Sequence, residues 1–420
     1  MIAGSATADA ELLLRAERAS LTPGRCTVIG TGVSTGSREA ARCNGYLGDI
    51  FELNDLTGGH ASIGNVSAAL ALAEDVSASG ADLLSATIAG IEVSTRIYNT
   101  LYPTLKAYGE CGMVPVGLPN SVGAAAAAAR LLGLDRERTR AALAIAAGMA
   151  GWCPAEVIFG EQSTLKPLLF GGWPASVGLL AAQYASAGMT GPADILDGPM
   201  GYFKTVSSAP NLGAIDVATW ALANPRRKLH ACCGYIHSTI DALLRIREQA
   251  PKALDAARTI DVSLPQYVMP AVVKSRPPTS PNEARFHTRY CAALAASGHG
   301  AILPAHSENF EDYIGRPEVA AAYDLIRIQG DATLTHYHHA VVRVASADGV
   351  KIVEDNVAPK GSPNNPLSDD EVIAKFLRLA GPVLGAQAAQ AIRVSLEGVA
   401  ELGSLAPLFD ALRGRQRVAV

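Results

Sequence analysis

Residues 121–129, Ser-Val-Gly-Ala-Ala-Ala-Ala-Ala-Ala, and residues 141–150, Ala-Ala-Leu-Ala-Ile-Ala-Ala-Gly-Met-Ala, decide the fold class. Both segments are rich in Ala and Gly, whose small side chains let neighbouring helices approach each other closely. The whole chain shares this bias, because it has 40 glycines and only 5% aromatic residues. These features predict a core of helices packed on helices rather than a sandwich of sheets.

Helical patterns extend on both sides of these two segments. Apolar residues recur every three or four positions in residues 65–77 and 81–101, as in helices with one buried face. Further helices are predicted at residues 136–149, 173–187 and 237–250, each bounded by a capping residue, a glycine or a proline.

Strand patterns appear after residue 250. Residues 259–264 alternate as in a half-buried strand, and residues 334–344 and 350–357 flank the turn signal Ala347-Asp348-Gly349. Between the first strand and this hairpin, a helix is predicted at residues 283–297. Strands and helices within about 120 residues indicate a separate α/β unit.

The helical pattern resumes at Ser368-Asp369-Asp370-Glu371, which is a capping-box start. The sequence therefore predicts a mainly α fold with an α+β insertion. Its parts are a discontinuous all-helical domain, residues 1–242 and 367–420, and a smaller α/β lid domain, residues 243–366.

Composition excludes several classes of protein. With 420 residues, 49% hydrophobic residues, 18% charged residues and a net charge of −4, the chain resembles an ordinary folded protein. It has no basic run that would indicate a nucleic-acid partner, no apolar stretch long enough for a membrane span and no signal-peptide core, so we expect a cytoplasmic location. Seven scattered cysteines without a CxxC pair predict reduced thiols rather than disulfides or zinc.

The segment Glu52-Leu53-Asn54-Asp55-Leu56-Thr57-Gly58-Gly59-His60-Ala61-Ser62 concentrates polar groups just before a predicted helix. Glu52, Asp55 and Thr57 are candidate substrate-binding residues, and His60 is a candidate acid or base. The paired glycines let a ligand approach the backbone, and the start of the helix favours an anion. A capped helix with a hydrogen-bonded loop histidine explains the same residues equally well.

Two further segments offer cationic groups. Gln162-Ser163-Thr164-Leu165-Lys166-Pro167 supplies an amide and a lysine, although a lone lysine between apolar residues usually lies at the surface. Residues 226–237 place Lys228 and Cys233 at the predicted domain junction, where substrates often bind. For this second segment the alternative is a solvated hinge.

Two candidates lie in the predicted lid domain. Residues 282–290 carry Arg285 and Tyr290 on one predicted helix, where they could face the cleft; a structural tyrosine at a domain interface is equally plausible. In a strand, His336 and His338 would share a face and could seed a weak metal site. No Asp, Glu or Cys accompanies these histidines, so we predict an exposed strand edge and no metal site.

Taken together and in this order, these segments resemble the MmgE/PrpD family from about Asn44 to the C-terminal residue. The segments that carry the resemblance are His60-Ala61-Ser62, the Ala-rich helix at 121–133, Lys166-Pro167, Lys228 with Cys232-Cys233 and His237, Glu283-Ala284-Arg285 to Tyr290, and residues 360–368. The family contains dehydratases, decarboxylases and an epimerase of small organic acids.

The resemblance implies a helical domain carrying an α/β lid, a homodimer, and catalysis without a metal or an organic cofactor. It also implies proton transfer at a carbon next to a carboxylate. In that chemistry His60 would be the acid or base, Lys166 and Lys228 would bind carboxylates and stabilise enolate-like charge, and Tyr290 would donate a proton or a hydrogen bond.

The chain departs from the family pattern at Val114, Leu169 and Cys233, where the resemblance leads us to expect histidines. Losing imidazoles removes proton carriers and positive charge, which opens the site to a substrate less charged than a tricarboxylate. We predict a cofactor-independent lyase, a dehydratase or decarboxylase, that acts on a small carboxylic acid. The alternatives are an epimerase and a non-catalytic member of the family.

Overall fold

The structure, a computed structural model, describes residues 1–102, 104–159 and 163–414. The helices are α1 (Ala8–Glu17), α2 (Ser37–Asp49), α3 (Ala61–Asp75), α4 (Gly80–Thr100), α5 (Tyr108–Cys111), α6 (Gly117–Leu131), α7 (Arg136–Met149), α8 (Glu156–Phe159), α9 (Trp173–Ser186), α10 (Tyr202–Val206), α11 (His237–Gln249), α12 (Pro251–Asp255), α13 (Met269–Val272), α14 (Pro281–Arg285), α15 (Thr288–Ala296), α16 (Pro304–Glu308), α17 (Phe310–Ile314), α18 (Pro317–Leu325), α19 (Asp369–Leu384), α20 (Ala386–Glu397) and α21 (Ala406–Arg413). The strands are β1 (Cys26–Val28), β2 (Val33–Thr35), β3 (Ala257–Pro265), β4 (Ile326–Asp331), β5 (Ala340–Ser346) and β6 (Lys351–Asn356).

Helix α6 lies at the centre of the helical part of the molecule. It packs against α3, α4, α7 and α9, and its alanines from 124 to 129 are all buried. The prediction of a mainly α fold with a smaller α/β part is confirmed.

Close helix contacts explain the small residues of this core. A Cβ atom added to Gly123 would lie 2.5 Å from the carbonyl oxygen of Gly90 on α4, and one added to Gly178 would lie 2.4 Å from the Cβ of Ala124. At these crossings only glycine fits without moving a neighbouring backbone. The Ala/Gly bias of the sequence is therefore a direct consequence of helix spacing.

The α/β part is built on a four-stranded sheet with strand order β4-β3-β5-β6. β3 runs parallel to β4 and antiparallel to β5, and β5 and β6 form the predicted hairpin. Helices α11 and α15 pack beside this sheet, with α11 against β5 and β6 and α15 against β4. Together they enclose a second apolar core that contains Val262, Leu294 and Val342.

Two of the predicted elements differ in the structure. Residues 334–339 do not form a strand. They contain a turn in which the His339 N–H donates to the carbonyl of His336. The helix predicted at 283–297 is interrupted, because His287 adopts an extended backbone and its Nδ1 accepts from the N–H of Tyr290, starting a new helix. Arg285 and Tyr290 therefore lie on different helices.

The C-terminal helices return to the helical core. Ile392, Leu408 and Phe409 share an apolar cluster with Ala73 of α3 and Ala86 of α4. Helix α11 runs through the predicted boundary at residue 242 and packs against the sheet. The division into residues 1–242, 367–420 and 243–366 stays a prediction.

Two further expectations concern membranes and cysteines. In the part of the chain that the structure describes, no helix combines the length and the apolarity needed to cross a membrane. All seven cysteines fall within this part and are free thiols, six of them buried and Cys111 half-buried. That these thiols stay reduced and bind no zinc remains a prediction.

Candidate active site

The segment between α2 and α3 folds back on itself at two glycines. Gly58, Gly59 and His60 follow one another with φ of 57°, 61° and 72°, in the left-handed region. A Cβ on Gly59 would lie 2.2 Å from the ring of Tyr98, so this segment must approach α4 as a bare backbone. For His60 the same conformation costs roughly 1–2 kcal/mol, which the packed surroundings of the segment must offset.

Two buried lysines converge on Glu52. The ammonium group of Lys228 donates to Glu52 Oε2 at 2.6 Å and to the Glu52 carbonyl at 2.6 Å. That of Lys166 donates to Glu52 Oε1 and lies 2.6 Å from Asp49 Oδ2. All four side chains are at most 3% exposed. Two carboxylates and two ammonium groups form a buried cluster with no net charge, here called the ion cluster (Asp49, Glu52, Lys166 and Lys228).

The ion cluster sets the protonation of its members. Burial raises the pKa of the Glu52 carboxyl, but Lys166 and Lys228 more than offset this and hold that pKa well below its usual range. Burial, reinforced by the Glu52 charge and only partly offset by Lys166, raises the pKa of Asp49 to about 6. Glu52 is therefore the firmly ionised partner of both lysines.

Asn54 links the ion cluster to His60. Its amide nitrogen donates to Asp49 Oδ1, so its carbonyl oxygen faces His60 Nδ1 at 2.5 Å. That oxygen is an acceptor, and the hydrogen of a neutral His60 ring must therefore lie on Nδ1. Nε2 then carries a lone pair on a ring that lines a cavity.

We expect the His60 ring to remain neutral, with its hydrogen on Nδ1, from about pH 6 to pH 8. Burial lowers its pKa well below 6.5, and Lys228 and Lys166 lower it further, although Glu52 opposes them. Two-dimensional ¹H–¹⁵N NMR of the imidazole nitrogens, assigned by loss of the signal in His60→Asn, tests this expectation. A ring that titrates near the ordinary value of about 6.5 would contradict it.

The cavity beside His60 has a volume of about 80 Å³ and a wall rich in tyrosine. The tyrosines that line it are Tyr98, Tyr102, Tyr108, Tyr235 and Tyr337. The hydroxyls of Tyr98 and Tyr102 are hydrogen-bonded at 2.9 Å, and those of Tyr108 and Tyr235 at 3.3 Å. Burial raises the pKa of Tyr98 and Tyr235 well above 10, so these phenols are neutral hydrogen-bond donors.

Asp49, Glu52 and His60 also form the one group of potential metal ligands found among the described residues, with ligand atoms within 4.8 Å of one another. The lysine ammonium groups already bind these carboxylates, Lys166 at 2.6 Å from Asp49 Oδ2 and Lys228 at 2.6 Å from Glu52 Oε2. A metal ion would have to displace them or bear their repulsion. The arrangement fits an ion-paired site better than a metal centre.

Comparison with known families identifies the chain. A model described as the MmgE/PrpD N-terminal domain matches residues 1–214, and one described as the MmgE/PrpD C-terminal domain matches residues 230–400. The chain belongs to the MmgE/PrpD family. The resemblance read from the sequence is thereby confirmed.

Relatives of this MmgE/PrpD protein include cis-aconitate decarboxylases and a cis-aconitate decarboxylase-like protein. It is 28% identical to a cis-aconitate decarboxylase-like protein of Aspergillus oryzae, over 92% of this chain and 85% of the relative. It is 26% identical to a cis-aconitate decarboxylase of Aspergillus terreus, over 93% and 84% of the two chains. With the cis-aconitate decarboxylase of Homo sapiens the identity is 27%, over 80% and 70%.

The structure brings together part of the predicted site of this MmgE/PrpD chain. Glu52 and His60 line the cavity, and Lys166 and Lys228 lie behind Glu52. Cys233 also lines the cavity; burial raises the pKa of its thiol to about 12, so it remains a neutral thiol.

Other predicted residues lie elsewhere. The Tyr290 hydroxyl donates to the carbonyl of His306 at 2.6 Å, with the side chain 1% exposed. Arg285 is buried against the Phe51 ring and donates to Ser307 Oγ at 3.0 Å. Neither lines the cavity described above.

The remaining predicted residues belong to the supporting structure or cannot be placed. The Thr57 hydroxyl accepts from the backbone N–H of Arg226 at 2.9 Å, which fixes the segment before α3. Asp55 lies 3.9 Å from Lys375 and lines a different, apolar cavity of about 580 Å³. Gln162 lies outside the described residues.

The prediction that His336 and His338 lie on one face of an exposed strand edge is wrong for His338. His338 is 3% exposed and lies in a turn, so it does not share a strand face with His336. Its ring packs 4.2 Å from that of Tyr337, which lines the cavity.

Sequence reasoning missed Asp49, the role of Asn54 and the tyrosine wall. The four-residue spacing of Tyr98 and Tyr102 is a signal that both face the same side of a helix end. Nothing in the sequence links them to Tyr235 and Tyr337, which lie more than a hundred residues away.

Proposed function

We propose that this MmgE/PrpD protein is a cofactor-independent lyase, a dehydratase or decarboxylase, that moves a proton at the carbon next to a carboxylate of a small organic acid. The observation that carries the proposal is the neutral His60, whose ring lines a cavity and is held by Asn54 through Nδ1, which leaves Nε2 as the basic nitrogen. The described relatives are decarboxylases or decarboxylase-like, which agrees with a lyase.

His60 has the properties of a general base. A base works best when it is unprotonated at working pH and lies within hydrogen-bond reach of the proton that it takes. The lowered pKa of His60 meets the first condition, and the contact with Asn54 fixes the ring. In a dehydratase, Nε2 would take the proton from the carbon, the C–O bond would break, and the leaving hydroxide would need a proton.

Tyrosine hydroxyls of the cavity wall are suited to supply that proton. Their pKa values are raised by burial, so they carry hydrogen at neutral pH. Tyr98 and Tyr102 share one hydrogen bond between two hydroxyls, so one of the two O–H groups can point at a ligand. This assigns to Tyr98 or Tyr102 the donor role that the sequence had suggested for Tyr290.

The lysines act at a distance in this proposal. Lys166 and Lys228 are at most 1% exposed and are bonded to Glu52, so in this arrangement they do not contact a ligand in the cavity. Their positive charge balances the negative charge of Glu52 and Asp49, and it adds to burial, the larger cause, in lowering the pKa of His60. Their role is to neutralise the two buried carboxylates of the ion cluster, which lies behind the cavity wall.

An epimerase is the second candidate. It needs two proton-transfer groups, and His60 and a wall tyrosine offer a base and an acid around one cavity. Epimerisation leaves the carbon skeleton intact, whereas a lyase creates a double bond or releases carbon dioxide. The two reactions are therefore separable by their products.

We expect proton NMR in D₂O to show new olefinic signals, or loss of a carbon, when the full-length protein is incubated with the right acid. The panel should include 3-hydroxybutyrate, malate, citrate, cis-aconitate and iminodisuccinate, so that charge and leaving group both vary. Deuterium entering an unchanged skeleton would replace the lyase by the epimerase. Absence of any change across the panel would count against an enzyme of either kind.

A further inference from the structure

The cavity beside His60 has an unusual balance of charge for a site that takes an organic acid. Among the lining side chains that the structure describes, Glu52 is the one that is charged at neutral pH, and it is negative. The rest of the lining consists of tyrosines, apolar residues such as Val114 and Phe170, the neutral His60, and the Cys233 thiol.

The nearby positive charges are already used. Lys166 and Lys228 balance Glu52 and Asp49 within the ion cluster, leaving it with no net charge. Arg226, a further cationic residue, lies with its guanidinium carbon 5.8 Å from the ring centroid of Tyr337 and is not among the residues that line the cavity. A ligand with several carboxylates would thus bring negative charges that the described lining cannot pair.

The tyrosines of the cavity wall suit uncharged polar groups. Phenol hydroxyls both donate and accept hydrogen bonds, and those of Tyr98 and Tyr102 form one hydrogen-bonded pair on this wall. A single carboxylate can be solvated by several such donors, as it is by neutral hydroxyl groups in water. Each additional carboxylate would have to compete for the same donors beside Glu52.

We propose, on the basis of the lyase function above, that the cavity selects small monocarboxylates whose remaining polar group is an uncharged hydroxyl or carbonyl. This substrate class has fewer charges than cis-aconitate, the tricarboxylate after which the relatives are named. The selection arises because the ion cluster cancels its own charge, while tyrosines and apolar side chains supply the rest of the wall.

The test compares ligands that differ in charge but not in shape. Malate and its monoamide have nearly the same size, and the amide carries one negative charge fewer. Titration calorimetry of the full-length protein with each compound is expected to give a Kd at least roughly tenfold lower for the monoamide, because an unpaired like charge is strongly disfavoured at a closed site. 3-Hydroxybutyrate is expected to bind better than citrate.

A pair of variants tests the cause. Val114 is 4% exposed and lines the cavity, so Val114→Lys adds a cation there, and Val114→Met adds a side chain of comparable length without charge. Val114→Lys should tighten malate binding at least roughly tenfold relative to Val114→Met. Circular dichroism checks that both variants fold, and the ligand comparison on the unmodified protein stands without them.

The possible outcomes distinguish failure of the monocarboxylate selection from failure of the lyase proposal. Malate or citrate binding as tightly as the monoamide would overturn the selection for monocarboxylates, whatever the reaction. Failure of every monocarboxylate to bind would overturn it too. If the monoamide binds with the expected preference but no acid is converted in D₂O, the selection stands and the lyase proposal fails.

Discussion

Replacing His60 by asparagine is expected to reduce kcat by roughly 10²- to 10⁴-fold, the usual contribution of a positioned acid or base, while leaving the fold intact. Asparagine is the suitable replacement because His60 has a left-handed backbone with φ of 72°, which Asn tolerates better than most residues. The substitution therefore removes the imidazole without adding backbone strain. The rate is measured with the acid that the unmodified protein converts.

His339→Asn is the matched control. His339 directly precedes β5, its Nε2 lies 2.7 Å from Asp355 Oδ1 of β6, and it does not line the cavity. Its replacement should leave kcat unchanged within about twofold. If His60→Asn kept the full rate, His60 would not be the proton carrier; if it lost activity together with its melting transition, its role would be structural.

The helical core was predictable because its cause is local. A run of small residues such as 124–129 indicates by itself that neighbouring helices pack closely. The structure shows that Gly123 and Gly178 lie at helix contacts where a Cβ atom would clash. The hairpin between β5 and β6 was also predictable, since its turn signal lies between two alternating segments. Both inferences need only neighbours along the chain.

The site was only partly predictable because its geometry is not local. His60 and Lys166 are recognisable by their resemblance to family segments. That Lys166 bonds to Glu52 and that His60 lies near it depends on how the segments that follow α2 and precede α9 pack together. Tyr290 illustrates the opposite case. A break at His287 turned its helix away from the expected direction, and the hydroxyl bonds to His306 instead.

Asn54 shows how a residue within a correctly chosen segment can remain unnoticed. Its side-chain amide has a nitrogen that donates and an oxygen that accepts hydrogen bonds. Because the nitrogen donates to Asp49, the oxygen is left to accept from His60. That choice is set by a carboxylate five residues earlier, across the end of α2. The sequence contains both residues but not the turn that brings them together.

Replacing Glu52 by glutamine is expected to lower the free energy of unfolding by roughly 3–5 kcal/mol, because it leaves buried positive charge without its partner. Glutamine has nearly the same shape as glutamate and adopts the positive φ of 53° at this position equally poorly. The difference in free energy of unfolding between the two proteins therefore reports the lost charge. Two ammonium groups would then face only Asp49. The measurement is urea unfolding followed by circular dichroism at neutral pH.

The direction of the pH dependence provides an independent check on this variant. With Glu52 neutral, burial would depress the pKa of a lysine in the folded state below its unfolded value of about 10.4. The unfolded chain would then bind more protons than the folded one in that interval, so the stability of Glu52→Gln should recover as pH rises toward about 10. A constant deficit at all pH values would mean that lost charge balance is not the cause.

Two further variants test whether charge balance in the ion cluster is what stabilises the protein. Glu39→Gln is the matched control, because Glu39 is 8% exposed and accepts a hydrogen bond from the uncharged hydroxyl of Thr22, so about 1 kcal/mol or less should be lost. The double variant Glu52→Gln with Lys166→Met leaves one carboxylate, Asp49, and one ammonium group, Lys228, which restores neutrality. The double variant should therefore be more stable than Glu52→Gln alone. If it is less stable instead, the lysines stabilise the protein through packing rather than through charge.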